Sequence, residues 1–283
     1  MSLWYNLRKH IITHGALKMK IYVFSNFKDD SRNALRELTS LLDEFGFEML
    51  DEYSEEADVL ACIGGDGTFL SFVHKCGFPS APIIGINTGH LGFFQEASPR
   101  SLRPTLEYIS KGDYQLQKIR PVQARIITRR GEFLRTGINE IVVRGPFSHA
   151  SHYEISIDNT KIQDFSGDGL IISTPVGSTA YNYSLGGSLV SPDLEVLLIT
   201  PIAPMSTNAY RCFRSSILLP SKETITIAGT GRCEGGTVMV SFDGRTHEFG
   251  GVLRIEITQS DKEVRLIRTS KYDHWNKLSS KLL

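Results

Sequence analysis

The sequence predicts two domains of different architecture, an α/β domain at the amino-terminal end and a β-sandwich-like domain after it. Apolar strand and helix patterns alternate between residue 19 and about residue 118. From about residue 119 the apolar residues follow the period of two that is typical of strands. A length of 283 residues suits two modest domains, and 41% hydrophobic with 22% charged residues is an ordinary globular balance.

The amino-terminal domain is predicted over 19–118. Runs of apolar residues predict its strands, at 20–24, 57–63 and 82–86. Apolar residues three or four positions apart predict its helices, at 31–45, 68–75 and 101–111, and Gly46 stops the first of them. Strands that alternate with helices are typical of a parallel sheet with helices on its faces, so we expect a Rossmann-like sheet.

The β-rich domain is predicted over 119–269. Short segments of alternating polarity, separated by Gly, Asn, Asp and Pro, predict strands at 124–128, 140–143, 153–157, 170–173, 224–228, 237–242, 253–258 and 263–268. Such a run of short strands favours a β-sandwich. Residues 1–18, which are basic and contain no acid, are interpreted as an extension, and the polar tail 270–283 as a segment that can pack back on the first domain.

Charge and cysteine content exclude several classes of protein. Lys plus Arg and Asp plus Glu both total 31, so the chain lacks the basic excess of a general nucleic-acid binder. No apolar run approaches the roughly 18 residues of a membrane-spanning helix. The cysteines, at 62, 76, 212 and 233, show no C-x-x-C spacing, which argues against a zinc or thioredoxin-type site and favours a reducing compartment. We therefore expect a cytoplasmic protein with neither nucleic acid nor membrane as partner.

A glycine turn, Gly64–Thr68 with the sequence Gly-Gly-Asp-Gly-Thr, follows the strand predicted at 57–63 and opens the next helix. Glycine lets a backbone approach a phosphate closely, and a helix N-terminus offers free N–H groups. The turn is neither a P-loop nor a G-x-G-x-x-G motif. Its Asp66 would repel a phosphate unless it holds a metal ion or takes a proton from an attacking hydroxyl. The simpler alternative is a tight turn in which Asp66 caps the helix.

A second segment, 166–187, combines an acid, a strand and a turn rich in hydroxyl groups. The hydroxyl residues of its turn are Thr174, Ser178, Thr179 and Ser184. Tyr181 offers an aromatic face suited to an adenine ring, and apolar walls with a few placed polar groups are what a nucleoside pocket needs. An ordinary strand and turn, shaped by the proline and glycines of the segment, is the alternative.

Asn139 and Glu140, at the head of the strand predicted over 140–143, form a third candidate. A neighbouring amide and carboxylate can fork onto the diol of a ribose. A cap at the start of the strand is the simpler interpretation of this pair.

Taken together, in this order and separation, the three segments resemble the NAD kinase family. The residues that carry the resemblance are Gly64–Thr68, Asn139-Glu140 and Gly169–Tyr181, and it extends from about Met19 to about Thr269. The glycine turn alone is shared with diacylglycerol and sphingosine kinases and, loosely, with phosphofructokinases, whereas Thr-Pro-x-Gly-Ser-Thr-Ala-Tyr is far more specific. The resemblance implies phosphoryl transfer from ATP, or from inorganic polyphosphate, to the adenosine ribose 2′-hydroxyl of NAD, which makes NADP.

The resemblance also implies roles for the matching residues. Asp66 would accept the 2′-hydroxyl proton, and Mg²⁺ or another divalent cation would bridge the donor phosphates. The residues expected around the donor phosphates are Gly64, Gly65, Gly67 and Thr68. The residues expected to bind NAD are Asp66, Gly67, Phe93, Asn139, Glu140, Asp168, Thr179, Ala180, Tyr181, Asn182, Ser184, Ala203 and Arg245. By the family pattern, Asn139 and Glu140 hold the adenosine ribose or adenine, and Asp168 faces the nicotinamide half.

Departures from the family pattern fall on three short segments. Many members carry a basic residue where Ser166 stands, and Asp-Gly-Gln where this chain has Asp-Gly-Arg at 243–245. Our hypothesis is that Arg245 supplies the positive charge for the 2′-phosphate that Ser166 cannot. The family's Pro-His-Ser reads Pro-Met-Ser at 204–206, which weakens the carry-over for that loop.

Two other functions are the alternatives. A lipid kinase of the diacylglycerol type would need an apolar entrance, which the hydroxyl-rich turn argues against. A non-catalytic NADP-binding sensor would have no need of the Asp66 carboxylate. The family forms dimers or tetramers, and a β-rich domain offers strand edges for that, so a homodimer or homotetramer is expected.

Overall fold

The computed structural model describes residues 18–89, 92–146, 149–205 and 211–282. The chain divides into two compact units. The first unit combines the chain up to Lys118 with the segment from Val264 onwards, and the second unit is Ile119–Glu263. The first unit is therefore built from two stretches that are far apart in the sequence.

The first unit contains a six-stranded sheet with helices. Its strands are β1 (Met19–Ser25), β2 (Phe47–Leu50), β3 (Val59–Ile63), β4 (Ile83–Ile86), β5 (Gln115–Ile119) and β18 (Val264–Arg268). Its α-helices are α1 (Asp29–Leu42), α2 (Asp66–Lys75), α3 (Leu102–Lys111) and α5 (His274–Leu282). The strand order is β2-β1-β3-β4-β18-β5, and every pair from β2 to β18 is parallel.

The apolar pattern of the sequence accounts for this layer. All five residues of β3 are buried, as expected of a strand that is covered on both faces. One face of α1 buries Ala34, Leu38 and Leu42 in the same core as Leu106 of α3. The α/β architecture with a parallel sheet, predicted from the sequence, is confirmed.

The structure corrects the domain assignment of one strand. The strand predicted at 263–268 was expected within the second domain, 119–269, but β18 lies in the first sheet, where Leu266 pairs with Ile83. Its Val264 and Ile267 are buried there. An apolar pattern shows that a strand is buried but not which sheet buries it, so position in the chain was a misleading guide.

The second unit contains two antiparallel sheets of six strands each. The first, in the order β10-β9-β14-β17-β6-β7, consists of β6 (Val122–Thr128), β7 (Gly131–Gly137), β9 (Ser151–Ile157), β10 (Thr160–Gly167), β14 (Ile225–Gly229) and β17 (Val252–Gln259). The second, in the order β13-β12-β11-β8-β15-β16, consists of β8 (Glu140–Arg144), β11 (Gly169–Ser173), β12 (Val196–Ile202), β13 (Ile217–Pro220), β15 (Val238–Phe242) and β16 (Arg245–Phe249). A 3₁₀ turn (Val176–Thr179) and the one-turn helix α4 (Tyr181–Ser184) follow β11.

Alternate residues of these two sheets share one core. Val122 and Ala124 of β6 lie in the same buried cluster as Leu170 and Ile172 of β11. Two antiparallel sheets that bury one common core form a β-sandwich. The sandwich architecture predicted from the period-two patterns is confirmed.

Candidate active site

The glycine turn joins β3 to α2, at the carboxyl end of a central parallel strand. Gly64 has a φ of +149°, and a Cβ there would lie 2.7 Å from the Asn26 amide nitrogen, so another residue would not fit without a shift. Asn26 Nδ2 donates a hydrogen bond to Thr68 Oγ1 across 3.1 Å. The turn is thus tied to the loop after β1, and Gly65 and Gly67 flank the start of α2. In open α/β sheets, ligands bind at this end of the strands.

Asp66 is the first residue of α2, and its carboxylate binds a neighbouring loop instead of capping its own helix. The backbone N–H of Phe93 donates to Oδ2 across 3.0 Å, and that of Phe94 donates to Oδ1 across 3.1 Å. The Asp66 side chain keeps 33% of its surface exposed. Each carboxylate oxygen has about two acceptor positions, so a position on each oxygen stays available to a ligand. The capping alternative is therefore not what the structure contains.

The loop that binds this carboxylate, residues 92–96, accepts hydrogen bonds from two buried cations. We refer to it as the Phe93 loop. Arg268, at the end of β18, donates to the Phe93 carbonyl across 2.9 Å and pairs with Glu96 across 3.3 Å. Lys277, in α5, donates to the carbonyls of Phe93, across 3.3 Å, and of Gln95. Burial, together with the neighbouring Arg268 charge, lowers the pKa of Lys277 to about 8.

A third cation of the same segment lies next to Asp66 itself. Lys281, one helical turn after Lys277 in α5, has its Nζ 3.8 Å from Oδ2 of Asp66. The same ammonium group lies 4.5 Å from the centre of the Phe93 ring. From the sequence we predict only that the polar tail 270–283 packs back on the first domain, and no chemical role is assigned to Lys277 or Lys281.

In the second unit, the amide–carboxylate pair and the start of the hydroxyl-rich turn lie together. Asp243 accepts hydrogen bonds from the backbone N–H groups of Ile138, across 2.7 Å, and Asn139, across 2.8 Å. The Thr174 hydroxyl donates to the Ile138 carbonyl across 2.7 Å, and its N–H donates to the Asn139 carbonyl across 2.9 Å. A Cβ at Gly177 would meet the Asn139 carbonyl, so only glycine lets the turn approach this closely.

Glu140 is a buried carboxyl group with an unused oxygen. The residue is 6% exposed, and its Oε2 has no hydrogen-bond partner within the described part of the chain. Burial, reinforced by the negative charge of Asp243, raises the pKa of Glu140 to about 8. Since a buried polar atom without a partner is costly, an N–H or O–H group of a ligand at this position would relieve that cost.

Tyr181 and its neighbours differ in how much they can offer a ligand. The Tyr181 ring is 36% exposed, and its hydroxyl accepts a hydrogen bond from Arg144, whose guanidinium also lies 5.6 Å from the ring centre. Thr179 and Ala180 are half-buried and Ser184 is exposed. These residues line a turn that follows β11 directly.

Asn182 has a different position from these neighbours, because it is fully buried. Its Nδ2 donates to the carbonyls of Ser178, across 3.2 Å, and Ser188, across 3.0 Å. Its Oδ1 accepts from the Thr200 hydroxyl across 2.6 Å. The amide of Asn182 is therefore engaged within the chain, where it shapes the turn.

Asp168 and Ala203 lie together at the opposite end of the same strands. The Asp168 N–H donates to the Ile202 carbonyl across 3.0 Å, and both Asp168 and Ala203 are exposed. Strand β11 pairs with β8 so that its first residue faces Arg144 and its last faces Glu140. Four residues at about 3.4 Å each separate these ends by about 14 Å. The predicted residues of this unit thus mark two ends of one strand pair, and Tyr181 contacts the Arg144 end.

The strand register does not favour Arg245 as the substitute for a basic residue at 166. Arg245 opens β16 opposite Phe242, and Phe242 in turn pairs with Ile141 near the Glu140 end of β8. The cation aligned with Gly169, beside the Gly-Asp-Gly segment, is Arg144. The sequence offered only a weak signal for Arg144, a basic residue directly after a predicted strand.

Residues 1–17 of the predicted extension and Ser206 of the Pro-Met-Ser segment lie outside the described residues, as do His90 and Leu91, which stand shortly before the predicted site residue Phe93. Across the ranges that the structure describes, no helix is long and apolar enough to cross a membrane, and no three His, Cys, Asp or Glu side chains are grouped to hold a metal ion. The four cysteines are free thiols.

An α/β unit with a carboxylate in its glycine turn, together with a β-sandwich unit that holds a buried acid beside a hydroxyl-rich turn, defines a phosphotransferase of the nucleotide-kinase type. The sequence model of the ATP-NAD kinase N-terminal domain matches residues 18–114, and that of the ATP-NAD kinase C-terminal domain matches residues 138–269. The chain belongs to the NAD kinase family.

Individual relatives agree with this assignment. The chain is 33% identical over 268 residues to the NAD kinase of Finegoldia magna, covering 94% of this chain and 97% of that protein. It is 32% identical over 243 residues to an NAD kinase of Thermoanaerobacter, covering 85% of this chain and 83% of the relative. The family assignment gives no support to the lipid-kinase and sensor alternatives.

Two solved structures share the fold. An NAD kinase from Archaeoglobus fulgidus in complex with ATP superposes with a TM-score of 0.73 at 25% identity, covering 93% of this chain and 98% of that one. Yeast NADH kinase complexed with NADH superposes with a TM-score of 0.79 at 21% identity, covering 95% and 88% respectively. At that lower identity, the yeast structure supports the fold alone.

Proposed function

We propose that this chain transfers the γ-phosphoryl group of ATP to the 2′-hydroxyl of the adenosine ribose of NAD. The observation that carries the proposal is the Asp66 carboxylate, which is fixed by two backbone N–H groups beside a glycine turn and keeps a third of its surface exposed. A bond forms between the ribose 2′-oxygen and the γ-phosphorus, and the bond from that phosphorus to the bridging oxygen breaks. ADP leaves with the electron pair, and Asp66 accepts the hydroxyl proton.

The physical reason for such a base is that a ribose hydroxyl is a weak nucleophile at neutral pH. A positioned general base contributes roughly 10²- to 10⁴-fold to a rate. The hydrogen bonds from Phe93 and Phe94 hold the carboxylate in one orientation, so little reorganisation is needed when the hydroxyl arrives. The proposed cradle of the donor phosphates is the backbone of Gly64, Gly65 and Gly67 with the Thr68 hydroxyl.

The proposed binding residues for NAD divide along the strand pair of the second unit. Glu140 has an unused buried oxygen suited to accept a hydrogen bond from the adenosine part. Tyr181 offers its exposed ring to a base, and Asp168 serves the nicotinamide half. The remaining proposed contacts are Phe93, Asn139, Thr179, Ala180, Ser184 and Ala203. Asn182 and Arg245 are proposed to act indirectly, through the turn and the hairpin that contain them.

A divalent cation such as Mg²⁺ fits the oxygen donors of this site. Mg²⁺ is commonly held by one or two carboxylates together with the phosphates of a substrate, and Asp66 is a partly exposed carboxylate at the glycine turn. When bound, the ion would neutralise charge on the donor phosphates. We also propose a cytoplasmic homodimer or homotetramer, on the basis of the free thiols and the exposed strand edges.

The test is NADP formation from NAD and Mg²⁺, with ATP and inorganic polyphosphate as parallel donors. We expect NADP with ATP, and NADP with polyphosphate as well would indicate a donor site that recognises phosphates rather than adenine. Absence of NADP with either donor, in a protein that still binds NADP, would favour a sensor.

Asp66→Asn is the first variant to compare. We expect its kcat to fall by about 10²- to 10⁴-fold, because the amide cannot accept the proton. The dissociation constant for NAD should change little, since the residues proposed to bind the nucleoside remain. Parallel losses of binding and turnover would instead assign Asp66 a structural role. Glu248→Gln, an exposed carboxylate replaced in the same way, is the matched control.

A further inference from the structure

Three cations of the carboxyl-terminal segment surround the loop that binds Asp66, and they use their hydrogen-bond donors differently. Arg268 and Lys277 are buried and donate to backbone carbonyls of this loop, at Phe93 and Gln95. Their role is to hold the loop. Lys281 is partly exposed, with 22% of its side-chain surface accessible, and donates no hydrogen bond to any described residue. Its three N–H donors are therefore available to a ligand.

Lys281 is also oriented toward the reaction site. Its Nζ lies 3.8 Å from Oδ2 of Asp66 and 4.5 Å from the centre of the Phe93 ring. The backbone N–H of Phe93 binds the same carboxylate oxygen. The aromatic ring and the carboxylate thus hold the ammonium group beside the proposed base, too far from Oδ2 for a hydrogen bond.

The reaction needs a positive charge that the glycine turn does not contain. Residues 64–68 include no Lys or Arg, whereas a P-loop has a lysine on the transferred phosphate. In phosphoryl transfer, negative charge is spread over the equatorial oxygens of the group in flight, so a positioned cation lowers the barrier. Lys281 is a cation beside the carboxylate that must itself contact the attacking hydroxyl.

We propose that Lys281 is a catalytic residue whose ammonium group binds an oxygen of the transferred phosphoryl group. This inference rests on the proposed kinase function and extends it to the carboxyl-terminal helix. In the structure, the ammonium group lies 3.8 Å from Oδ2 of Asp66. When ATP is bound, it donates to the γ-phosphate, which leaves Asp66 free to accept the 2′-hydroxyl proton.

The experiment compares Lys281→Met and Lys281→Arg with the wild-type chain. The matched control is Lys271→Met, an exposed lysine outside α5 and close in sequence. The measurements are kcat with ATP between pH 6 and 9, the dissociation constant for NAD, and the dissociation constant for β,γ-imido-ATP. Thermal unfolding shows whether each variant is folded. If Lys281→Met does not fold, Lys281→Arg, which retains the positive charge, is compared with the wild type instead.

We expect Lys281→Met to lose about 10²- to 10³-fold in kcat at every pH, the size of effect seen when one donor to a developing charge is removed. It should bind β,γ-imido-ATP more weakly and NAD normally, Lys281→Arg should recover part of the rate, and Lys271→Met should match the wild type. A deficit that disappears at high pH would mean that Lys281 acts only on Asp66, and this would overturn the proposal.

Two further outcomes would also overturn it: a kcat within threefold of the wild type, or equal losses of NAD binding and turnover in both Lys281 variants. Failure of the underlying function has a different signature. In that case the wild-type chain itself makes no NADP from any donor.

Discussion

Arg144 connects two of the predicted site residues of the second unit. It faces Gly169 across β8 and β11, next to Asp168, and its guanidinium group contacts both the hydroxyl and the ring of Tyr181. An arginine stacks on an aromatic ring and donates in a fixed plane, which a lysine cannot reproduce. This side chain therefore orients Tyr181 and brings a positive charge to the Gly-Asp-Gly segment.

We expect Arg144→Met to weaken NADP binding by about 10- to 30-fold. A cation–π contact at a partly exposed site contributes about 0.5–1 kcal/mol and a hydrogen bond about 1 kcal/mol, and each 1.4 kcal/mol is tenfold in affinity. The measurement is equilibrium binding of NADP to both proteins.

Arg245→Gln is the comparison variant for this prediction, because it removes the other candidate cation, an exposed guanidinium group on the neighbouring hairpin whose proposed effect on the site is only indirect. We expect it to bind NADP within about twofold of the wild type. A loss confined to Arg245→Gln would restore the earlier hypothesis that Arg245 substitutes for a basic residue at position 166.

The sequence motifs identified residues that are recognisable from their immediate neighbours along the chain. Asp66 is conspicuous because it interrupts a glycine turn, and Glu140 because an amide precedes it. Lys281 and Arg144 belong to no motif, and only the contacts with Asp66 and Tyr181 distinguish them from other surface cations.

At the scale of elements, the strands that the sequence missed are mostly the edges of the three sheets. The edge strands are β2, β5, β7, β10, β13 and β16. An edge strand has one neighbour and a more exposed surface, so its apolar alternation is weak: four of the five residues of β16 are exposed. The internal strand β12 was missed for another reason, because Pro201 argues against a central strand.

Lys277 of helix α5 is buried where it contacts the Phe93 loop, and burying its charge lowers the free energy of unfolding by an amount that depends on pH. Burial lowers the pKa of Lys277 to about 8, against 10.5 in its absence. Between these values the unfolded chain binds more protons than the folded chain, so this group makes the free energy of unfolding rise with pH. The cost of burying the charged lysine is absent above about pH 10.5 and increases as the pH falls. It is complete below about pH 8.

We therefore expect the stability of the wild type relative to Lys277→Met to increase between pH 7.5 and pH 9.5. The measurement is urea unfolding of both proteins at each pH, and the difference between the proteins cancels groups that titrate in both. Lys271→Met, which replaces an exposed lysine, serves as control. If the difference in free energy of unfolding between the two proteins were the same at both pH values, burial would not lower the pKa of Lys277.

At the scale of the whole molecule, the first unit consists of two chain segments, one before and one after the second unit in the sequence. Strand β18 lies between β4 and β5, so it is an internal strand of the first sheet. A fragment that ends at Lys118 would lack this strand and expose the apolar edge of β4. The second unit, Ile119–Glu263, contains every strand of its own two sheets, and its first residue, Ile119, is also the last residue of β5.

We expect the fragment 18–118 to show no cooperative thermal unfolding, and the same fragment joined through a Gly/Ser linker to 264–282 to regain it. The fragment 119–263 should unfold cooperatively by itself, since its sandwich core is complete. Circular dichroism at increasing temperature is the measurement. A cooperative transition of 18–118 alone would contradict the structural role given to β18.

The sequence by itself determined the two architectures and the three chemical segments, because period, glycine turns and adjacent polar residues are local properties of the chain. Only the tertiary structure decided that β18 belongs to the first sheet, that α5 brings Lys277 to the Phe93 loop, and that α5 brings Lys281 to Asp66. It also decided that Arg144, not Arg245, stands beside Gly169. The physical reason is that strand pairing and ion pairing join residues about 180 to 215 positions apart, such as Leu266 with Ile83 and Lys281 with Asp66, as readily as neighbours, and no local pattern records which partner is chosen.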